Sequence, residues 1–280
     1  MASRPRRPSA DHPGYFTAAS TIRRVMRERA LALSGPRALL MQAAHPLAVA
    51  GLLAHSDSLE DPYQRLARTA QVMNAITFGT RDEADRLTRR VRAMHRTARG
   101  RLPDTVGIYP AGTPYRADDP ELLLWILYTL VDSAIVVYRT YVGRLGARDQ
   151  AALWMDYRVV GRLFGLAENE MPGTLAALRD YGRRMLAGDE LTVGAWARRR
   201  AREIVLDPPV SPLARPVVET VNFITIALLP DRIRAQYGFA PLPPVIRKAL
   251  VRAGALYVRR GVLPVLPTHI RQVPAARQAA

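Results

Sequence analysis

The sequence predicts a single all-α domain, and three observations support that prediction. Apolar residues recur at helical spacing along most of the 280-residue chain, and we find no strand-turn-strand alternation. Proline and glycine fall mainly between these stretches, where helices begin and end. The composition is that of a soluble globular protein, 49% hydrophobic and 23% charged, with no internal repeat. We therefore expect one large domain of about eight to ten helices.

The two ends of the chain differ from the predicted domain. Residues 1–15 are basic and rich in proline, which is typical of a disordered tail. Residues 16–265 hold the helical pattern and form the domain. Residues 266–280, with further prolines, are expected to form a C-terminal tail.

The first helices follow from proline and glycine positions. A helix is predicted over residues 16–33, and Pro36 suits the first turn of the next one. This second helix is apolar on nearly all sides, so it should be central to the fold. Pro46 removes the backbone bond to Gln42, and the helix should kink directly after His45.

Two helices joined at Phe-Gly-Thr hold the most informative polar residues. The first begins at Pro62, and its residues Arg65, Arg68 and Thr69 fall in the same narrow arc as the apolar Val72 and Ile76. That placement is unusual for a solvated face. It is also compatible with a buried structural arginine and a hydrogen-bond partner.

The next helix places a histidine on its apolar face. Thr80 and Glu83 form a capping box at its start. His95 shares its face with Ala84, Leu87, Thr88, Val91 and Ala98, whereas most arginines lie opposite. A buried imidazole needs a partner for each ring nitrogen, or a metal at one of them. A packed core histidine remains the alternative.

The remaining chain is predicted to be helical, apart from a long loop. Residues 100–119 are rich in turn formers and suit a flap over a pocket. Asp119 caps the helix that follows. Further helices are expected at about 120–142, 147–164, 173–187, 192–206, 216–230 and 243–261. The segment 216–230 could pass for a strand, but its length favours a helix.

Several classes of chemistry are excluded by residue types. The chain has no cysteine, which rules out disulfides, iron–sulfur clusters, cysteine-type zinc sites and a cysteine nucleophile. No histidine pair has helical ligand spacing, and paired carboxylates and phosphate-binding loops are missing. A lone histidine on a buried face, with arginines nearby, suits an axial ligand of haem whose propionates pair with guanidinium groups.

The net charge of +17 raises the question of polyanionic partners. Lys248 is the only lysine, and the arginines are spread over the outer faces of several helices rather than gathered in one stripe. We therefore expect no nucleic-acid partner and leave peripheral membrane contact open. No secretory signal is evident. The apolar run from Leu122 to Tyr138 is short for a span and contains Asp132, so it predicts a buried core helix rather than a membrane span. A cytoplasmic location is expected.

Five segments of the first half resemble a known family. They are GPRALLMQAAHPLAVAG, DPYQRLARTAQ, FGTRDEA, RRVRAMHRTARG and ADDPELLLWILYTLVDSA. Together they resemble the haem-dependent oxygenase family that includes MpaB and bacterial latex clearing protein. The match is dense from about Gly35 to Val142 and looser afterwards. It implies an all-α, partly globin-like core that holds non-covalent haem b.

The resemblance also implies roles for particular residues. In rubber-cleaving members the proximal iron ligand lies in the motif that here ends in His95, and an arginine and threonine near the haem match Arg65 and Thr69. Those members have a lysine where this chain has Arg68, and guanidinium cannot ligate iron as an amine can. Many relatives have a histidine where this chain has Leu127.

His45 and Asp132 are two further candidates for functional or structural roles near that site. His45 is a second candidate for the haem pocket; it could equally be a core histidine that caps the carbonyl of Gln42. Asp132 suits a structural acid bonded to an arginine, which could be Arg65.

The leading hypothesis is a haem b-dependent oxygenase or peroxygenase-like enzyme acting on an apolar organic substrate with O₂ or peroxide. His95 would bind iron, Arg65 and Thr69 would act on the oxygen species, and Arg68 and His45 would belong to the same pocket. Apolar residues could line the substrate space, namely Val72, Ile76 and Leu127. A haem carrier or gas sensor is one alternative, and a cofactor-free basic helical protein for nucleic acid or anionic membrane is another. Substrate, electron donor and oligomeric state are not determined by the sequence.

Overall fold

The computed structural model describes residues 14–54, 62–201, 203, 206, 211–239 and 243–279. Helices account for 71% of the structure, which confirms the predicted all-α class. The helices of the first half are α1 (Thr21–Met26), α2 (Ser34–Gln42), α3 (Pro46–Ala54), α4 (Pro62–Phe78), α5 (Arg81–Thr97) and α6 (Pro120–Val137). Those of the second half are α7 (Ala147–Phe164), α8 (Leu175–Ala187), α9 (Ala195–Ala201), α10 (Arg215–Leu228), α11 (Asp231–Gln236), α12 (Pro244–Tyr257), α13 (Thr268–Arg271) and α14 (Pro274–Gln278).

Shorter helical turns extend or connect these helices. Single 3₁₀ turns occupy Arg29–Leu33, Glu168–Glu170 and Pro212–Ala214. Wider π-helical turns continue α6 and α12, at Tyr138–Val142 and Val258–Val262 respectively. The long helices predicted at 120–142 and 243–261 therefore exist, each with a widened last turn.

The first predicted helix is broken in the middle. The backbone turns extended at Glu28 (φ −77°, ψ 119°), between α1 and the following 3₁₀ turn. This carboxylate is buried and accepts hydrogen bonds from Arg271, at 2.7 Å from Nε to Oε2. The prediction of one helix over residues 16–33 is wrong because a contact with the far end of the chain redirects the backbone here.

The break predicted at Pro46 is confirmed and is larger than a kink. The helix ends at Gln42, three residues form a turn, and α3 starts at Pro46. The backbone N–H of His45 donates to the carbonyl of Gln42 at 3.1 Å. Proline therefore separates two helices and leaves His45 in the corner between them.

The core is organised around α6, which α2, α7 and α8 flank. It buries side chains around most of its circumference, including Trp125. Among the described helices, α6 with its last turn has the length and composition to cross a membrane, and 61% of its apolar window is buried inside the protein. It is therefore the core helix that the sequence predicts.

One buried arginine joins three helices. From α2, Arg37 donates to the carbonyl of Leu228 in α10 at 2.8 Å. It also donates to the hydroxyl of Ser133 at 2.7 Å and to Asp132 at 2.8 Å, both in α6. All three kinds of guanidinium nitrogen are satisfied, so the charge is buried at limited cost.

The predicted loop 100–119 contains a two-stranded antiparallel hairpin. Its strands are β1 (Arg99–Arg101) and β2 (Pro114–Arg116), with Gly100 opposite Tyr115. A side chain at Gly100 would lie 2.5 Å from the Tyr115 hydroxyl, so glycine is required there. The expectation of no strand pairing is thus wrong at this place, where alternation is too short to be recognised.

Two helix predictions in the second half are confirmed in detail. The helix α7 ends at Gly165, whose φ of 110° is the left-handed conformation that glycine adopts readily. The segment predicted as helix at 216–230 forms α10 rather than a strand. The short α11 that follows is not anticipated by the sequence analysis.

The segment described from sequence as a C-terminal tail, residues 266–280, is partly helical. Helices α13 and α14 lie there, and Ala276 is buried. The backbone N–H of Val273 donates to Arg27, and the carbonyl of Ala279 accepts from Arg23 at 2.8 Å. The chain end is therefore bound to the N-terminal helix.

Candidate functional site

The hairpin of α4 and α5 carries most of the residues singled out from sequence. Thr80 caps α5, and its hydroxyl accepts the N–H of Glu83 at 3.2 Å, as predicted. Measured along each helix at roughly 1.5 Å per residue, Arg65 and His95 lie about 20 Å from the connection. The two residues therefore belong to the same end of the hairpin.

His95 lies in a cavity between helices. The cavity has a volume of about 140 Å³ and is lined by Arg92, His95, Arg96, Asp118, Leu123, Phe164 and Gly165. The imidazole is half-buried, and its Nδ1 atom is shielded from solvent. Three residues that share its helix face are buried, namely Ala84, Thr88 and Ala98. The face of α5 that the sequence predicts to be buried is therefore correct, and at His95 this face borders the cavity.

The polar residues of α4 are less buried than the sequence pattern suggests. Arg68 and Thr69 are exposed, whereas the same helix is buried from Met73 to Phe78, except for the half-buried Asn74. Residues 67–71 of α4 therefore extend beyond the core that covers residues 73–78. The backbone of Arg65 belongs to α4, and its side chain lies outside the part of the chain that the structure describes.

His45 is the more deeply buried histidine. It is 6% exposed, and its ring centroid lies 5.6 Å from that of Tyr109. Burial lowers its pKa to about 4, while the charges of Glu190 and Asp119 act in the opposite direction. The imidazole is therefore neutral at physiological pH. Its Nδ1 atom has no hydrogen-bond partner among the described residues.

One of the sequence alternatives for His45 is wrong. The carbonyl of Gln42 accepts the backbone N–H of His45 and not its ring. The side-chain amide of Gln42 instead donates to Thr129 of α6 at 3.0 Å. The His45 ring is thus left facing the loop that carries Tyr109.

Glu190 is a residue that the sequence analysis missed. Its Oε2 atom is buried and has no hydrogen-bond partner within the described ranges. Its negative charge acts to raise the pKa of His45, Tyr109 and Tyr181. Glu190 stands in a short polar link after α8, where an acidic residue ordinarily points to solvent. No sequence signal distinguishes it.

Asp132 and Leu127 have structural surroundings. Asp132 forms an ion pair with Arg37. The sequence analysis suggested Arg65 as its partner. Leu127 is 4% exposed and packs against Gly161 of α7. A Cβ atom at Gly161 would lie only 2.9 Å from the Leu127 side chain. A second cavity of about 200 Å³ lies between α6 and α8, with Asp132, Arg139 and Arg179 among its lining residues.

Comparison with known proteins identifies the family. A family model described as the catalytic domain of the ER-bound oxygenase mpaB/B′ and rubber oxygenase matches residues 22–260. The chain belongs to this mpaB/rubber oxygenase family. No curated protein and no solved structure gives a significant match.

The mpaB/rubber oxygenase family uses haem-type cofactors, and the residue types around His95 fit such a group. The cavity offers one imidazole, two guanidinium groups from Arg92 and Arg96, and apolar surface from Leu123 and Phe164. In the described ranges no three His, Asp or Glu side chains converge on a metal position.

The size of this cavity limits how a haem could be held. Pockets for small ligands usually have about 300–1,000 Å³, and the volume beside His95 is about 140 Å³. The described lining thus has room for only part of a tetrapyrrole. Residues 55–61 and the side chains of 62–66 flank the start of α4 and lie outside the described part of the chain.

Proposed function

We propose that this oxygenase-family chain is a haem b-dependent enzyme that oxidises an apolar organic substrate with O₂ or peroxide. The observation that carries the proposal is the placement of His95 in a cavity with Arg92 and Arg96, in a chain that matches an oxygenase catalytic domain. Bound haem would supply the iron centre at which oxygen chemistry takes place.

In this proposal His95 is the proximal iron ligand. Since its Nδ1 atom is shielded from solvent, Nε2 is the candidate ligand atom. Arg92 and Arg96 are proposed partners of the haem propionates, because guanidinium groups bind carboxylates with two parallel hydrogen bonds. Asp118 lines the same cavity and accepts a hydrogen bond from Arg116 at 3.0 Å.

The polar residues of α4 would contact the oxidant when the cofactor is bound. The Thr69 hydroxyl and the Arg65 guanidinium would donate hydrogen bonds to the oxidant. Arg68 provides charge beside them but cannot ligate iron. His45, which is neutral and has an unpartnered Nδ1 atom among the described residues, is a proposed hydrogen-bond acceptor of the pocket.

The proposed substrate surface differs from the one expected from sequence. Ile76 and Leu127 are buried in the main core and are not among the residues that line the His95 cavity. Val72 on α4 is half-buried, and Leu123 and Phe164 line the His95 cavity. We assign the apolar contact to these three residues.

A visible absorption spectrum tests the cofactor. Protein purified from haem-supplemented cells should show a Soret band, which the His95→Ala variant should lose or shift and added imidazole should restore. Met94→Ala is the matched control, because Met94 is the neighbouring residue and 55% exposed. Absence of the band in the unaltered protein would refute haem binding.

A turnover assay separates an enzyme from a haem carrier or gas sensor. Consumption of O₂ or peroxide that depends on an apolar substrate, and that falls at least tenfold in Thr69→Val, is the expected result. A haem-loaded protein that consumes no oxidant with any apolar substrate would favour the carrier or sensor. A cytoplasmic location stays a prediction.

A further inference from the structure

The helix α12 has a surface that the rest of the described protein leaves uncovered. None of its residues is buried. It is attached through Arg247, which donates to the carbonyl of Ala227 and to Asp231, both at 2.9 Å, and through Ala255, which packs against the main core. The side opposite this attachment therefore faces away from the core.

The outer side of α12 is almost entirely apolar. With about 100° per residue, the outer residues fall in an arc of roughly 140°. Its large members are Val245, Ile246, Leu250, Leu256 and Tyr257, all exposed. Val245 is 79% exposed and Tyr257 is 71% exposed. Ala249 and Ala253 lie between them, so the arc is continuous.

Basic residues lie along one edge of this apolar arc. By the same rotation, Lys248 and Arg252 fall beside Val245 and Leu256. Asp231 is the last acidic residue in the sequence, so the remaining chain carries only positive side-chain charge.

We propose that the outer face of α12 docks on an anionic phospholipid bilayer. Helices that lie in a membrane interface combine a wide apolar face with flanking lysine and arginine. The apolar arc would enter the boundary between headgroups and acyl chains, and the basic edge would bind lipid phosphates. This membrane-docking face stands independently of the haem assignment.

Charge distinguishes a bilayer from other occupants. In an antiparallel symmetric dimer through this face, Lys248 and Arg252 of both copies would approach each other without any acidic partner on α12. Nucleic acid would neutralise the basic edge but leave the apolar arc in water. An anionic bilayer satisfies both parts of the surface.

Vesicle flotation with the full chain tests the proposal. The protein should float with vesicles of phosphatidylcholine and phosphatidylglycerol, and much less with phosphatidylcholine alone. Leu250→Asp combined with Leu256→Asp should weaken binding at least about tenfold. Because both residues are exposed, the thermal midpoint should stay the same. Met155→Asp, at a residue 50% exposed on α7, is the matched control and should bind as the unaltered protein does.

A second variant separates charge from insertion. Lys248→Gln with Arg252→Gln should remove the preference for the anionic vesicles. Equal flotation of the double aspartate variant would overturn the proposal. So would a dimer in light scattering that the double aspartate variant dissociates, since it would show that a second copy covers this face.

Discussion

The two helices α6 and α12 are both rich in apolar residues and both end in a wide π-helical turn, yet they occupy opposite environments. The first buries side chains on most sides, whereas the second buries none. The difference lies in their neighbours. Helices α2, α7 and α8 flank α6, while α12 contacts the rest of the protein mainly on its Arg247 side.

This comparison shows that apolar content alone does not place a helix in the core. The charged residues decide the placement. Within α6, Asp132 is the one charge past the first turn, and Arg37 neutralises it. In α12, basic residues recur through the helix, and burying them without acidic partners would be costly. A core can therefore accept a helix with one paired charge, such as α6, but not a helix with several unpaired basic residues, such as α12.

The largest effect should come from truncating the centre of α6. Trp125 is fully buried, so Trp125→Ala should reduce the free energy of unfolding by about 3–5 kcal/mol. The matched change on the other helix, Leu256→Ala, should alter it by less than about 0.5 kcal/mol. Chemical denaturation of both variants checks this contrast, which disappears if α12 is part of the same core.

A second prediction concerns the charge that α6 does tolerate. Arg37→Met should cost about 3 kcal/mol, because Asp132, Ser133 and the carbonyl of Leu228 lose their donor. Adding Asp132→Leu should recover part of this loss, since the unpaired carboxylate is then removed. If the double variant is no more stable than Arg37→Met, the unpaired carboxylate of Asp132 is not the cause of the lost stability.

A smaller effect is expected from His45, beside the end of α2. Its folded-state pKa of about 4 is below the ordinary 6.5. As the pH falls, His45 therefore becomes protonated in the unfolded chain before it does in the folded protein, which favours unfolding. Stability should be complete above pH 6.5 and decrease by about 2–3 kcal/mol as the pH falls toward 4. His45→Phe should flatten this part of the profile. An unchanged profile would show that His45 does not titrate there.

Local signals explain which parts of the fold could be predicted. Thr80, Gly165 and Pro46 each act within one helical turn, and the structure confirms the helix boundaries expected from them. The break at Glu28 could not be predicted, because Arg271 that binds it lies at the other end of the chain. The hairpin around Gly100 escaped recognition because each strand has only three residues.

The candidate site divides in the same way. Helical spacing correctly placed His95 on the inner face of α5, and the family resemblance stated from sequence is confirmed. The exposure of Arg68 and Thr69 depends on how far the core covers α4, which spacing does not report. Glu190 approaches His45 only through folding, so no motif contains both.

The sequence by itself determined the all-α class, most helix boundaries and the family, because these depend on spacing and on residues near each other in the chain. The sequence also predicted that α6 is a core helix, whereas the tertiary structure decided that α12 lies on the surface. The tertiary structure also decided that His95 opens into a cavity with Arg92 and Arg96. Burial and charge pairing depend on which helices pack together, and that packing brings together residues far apart in the chain.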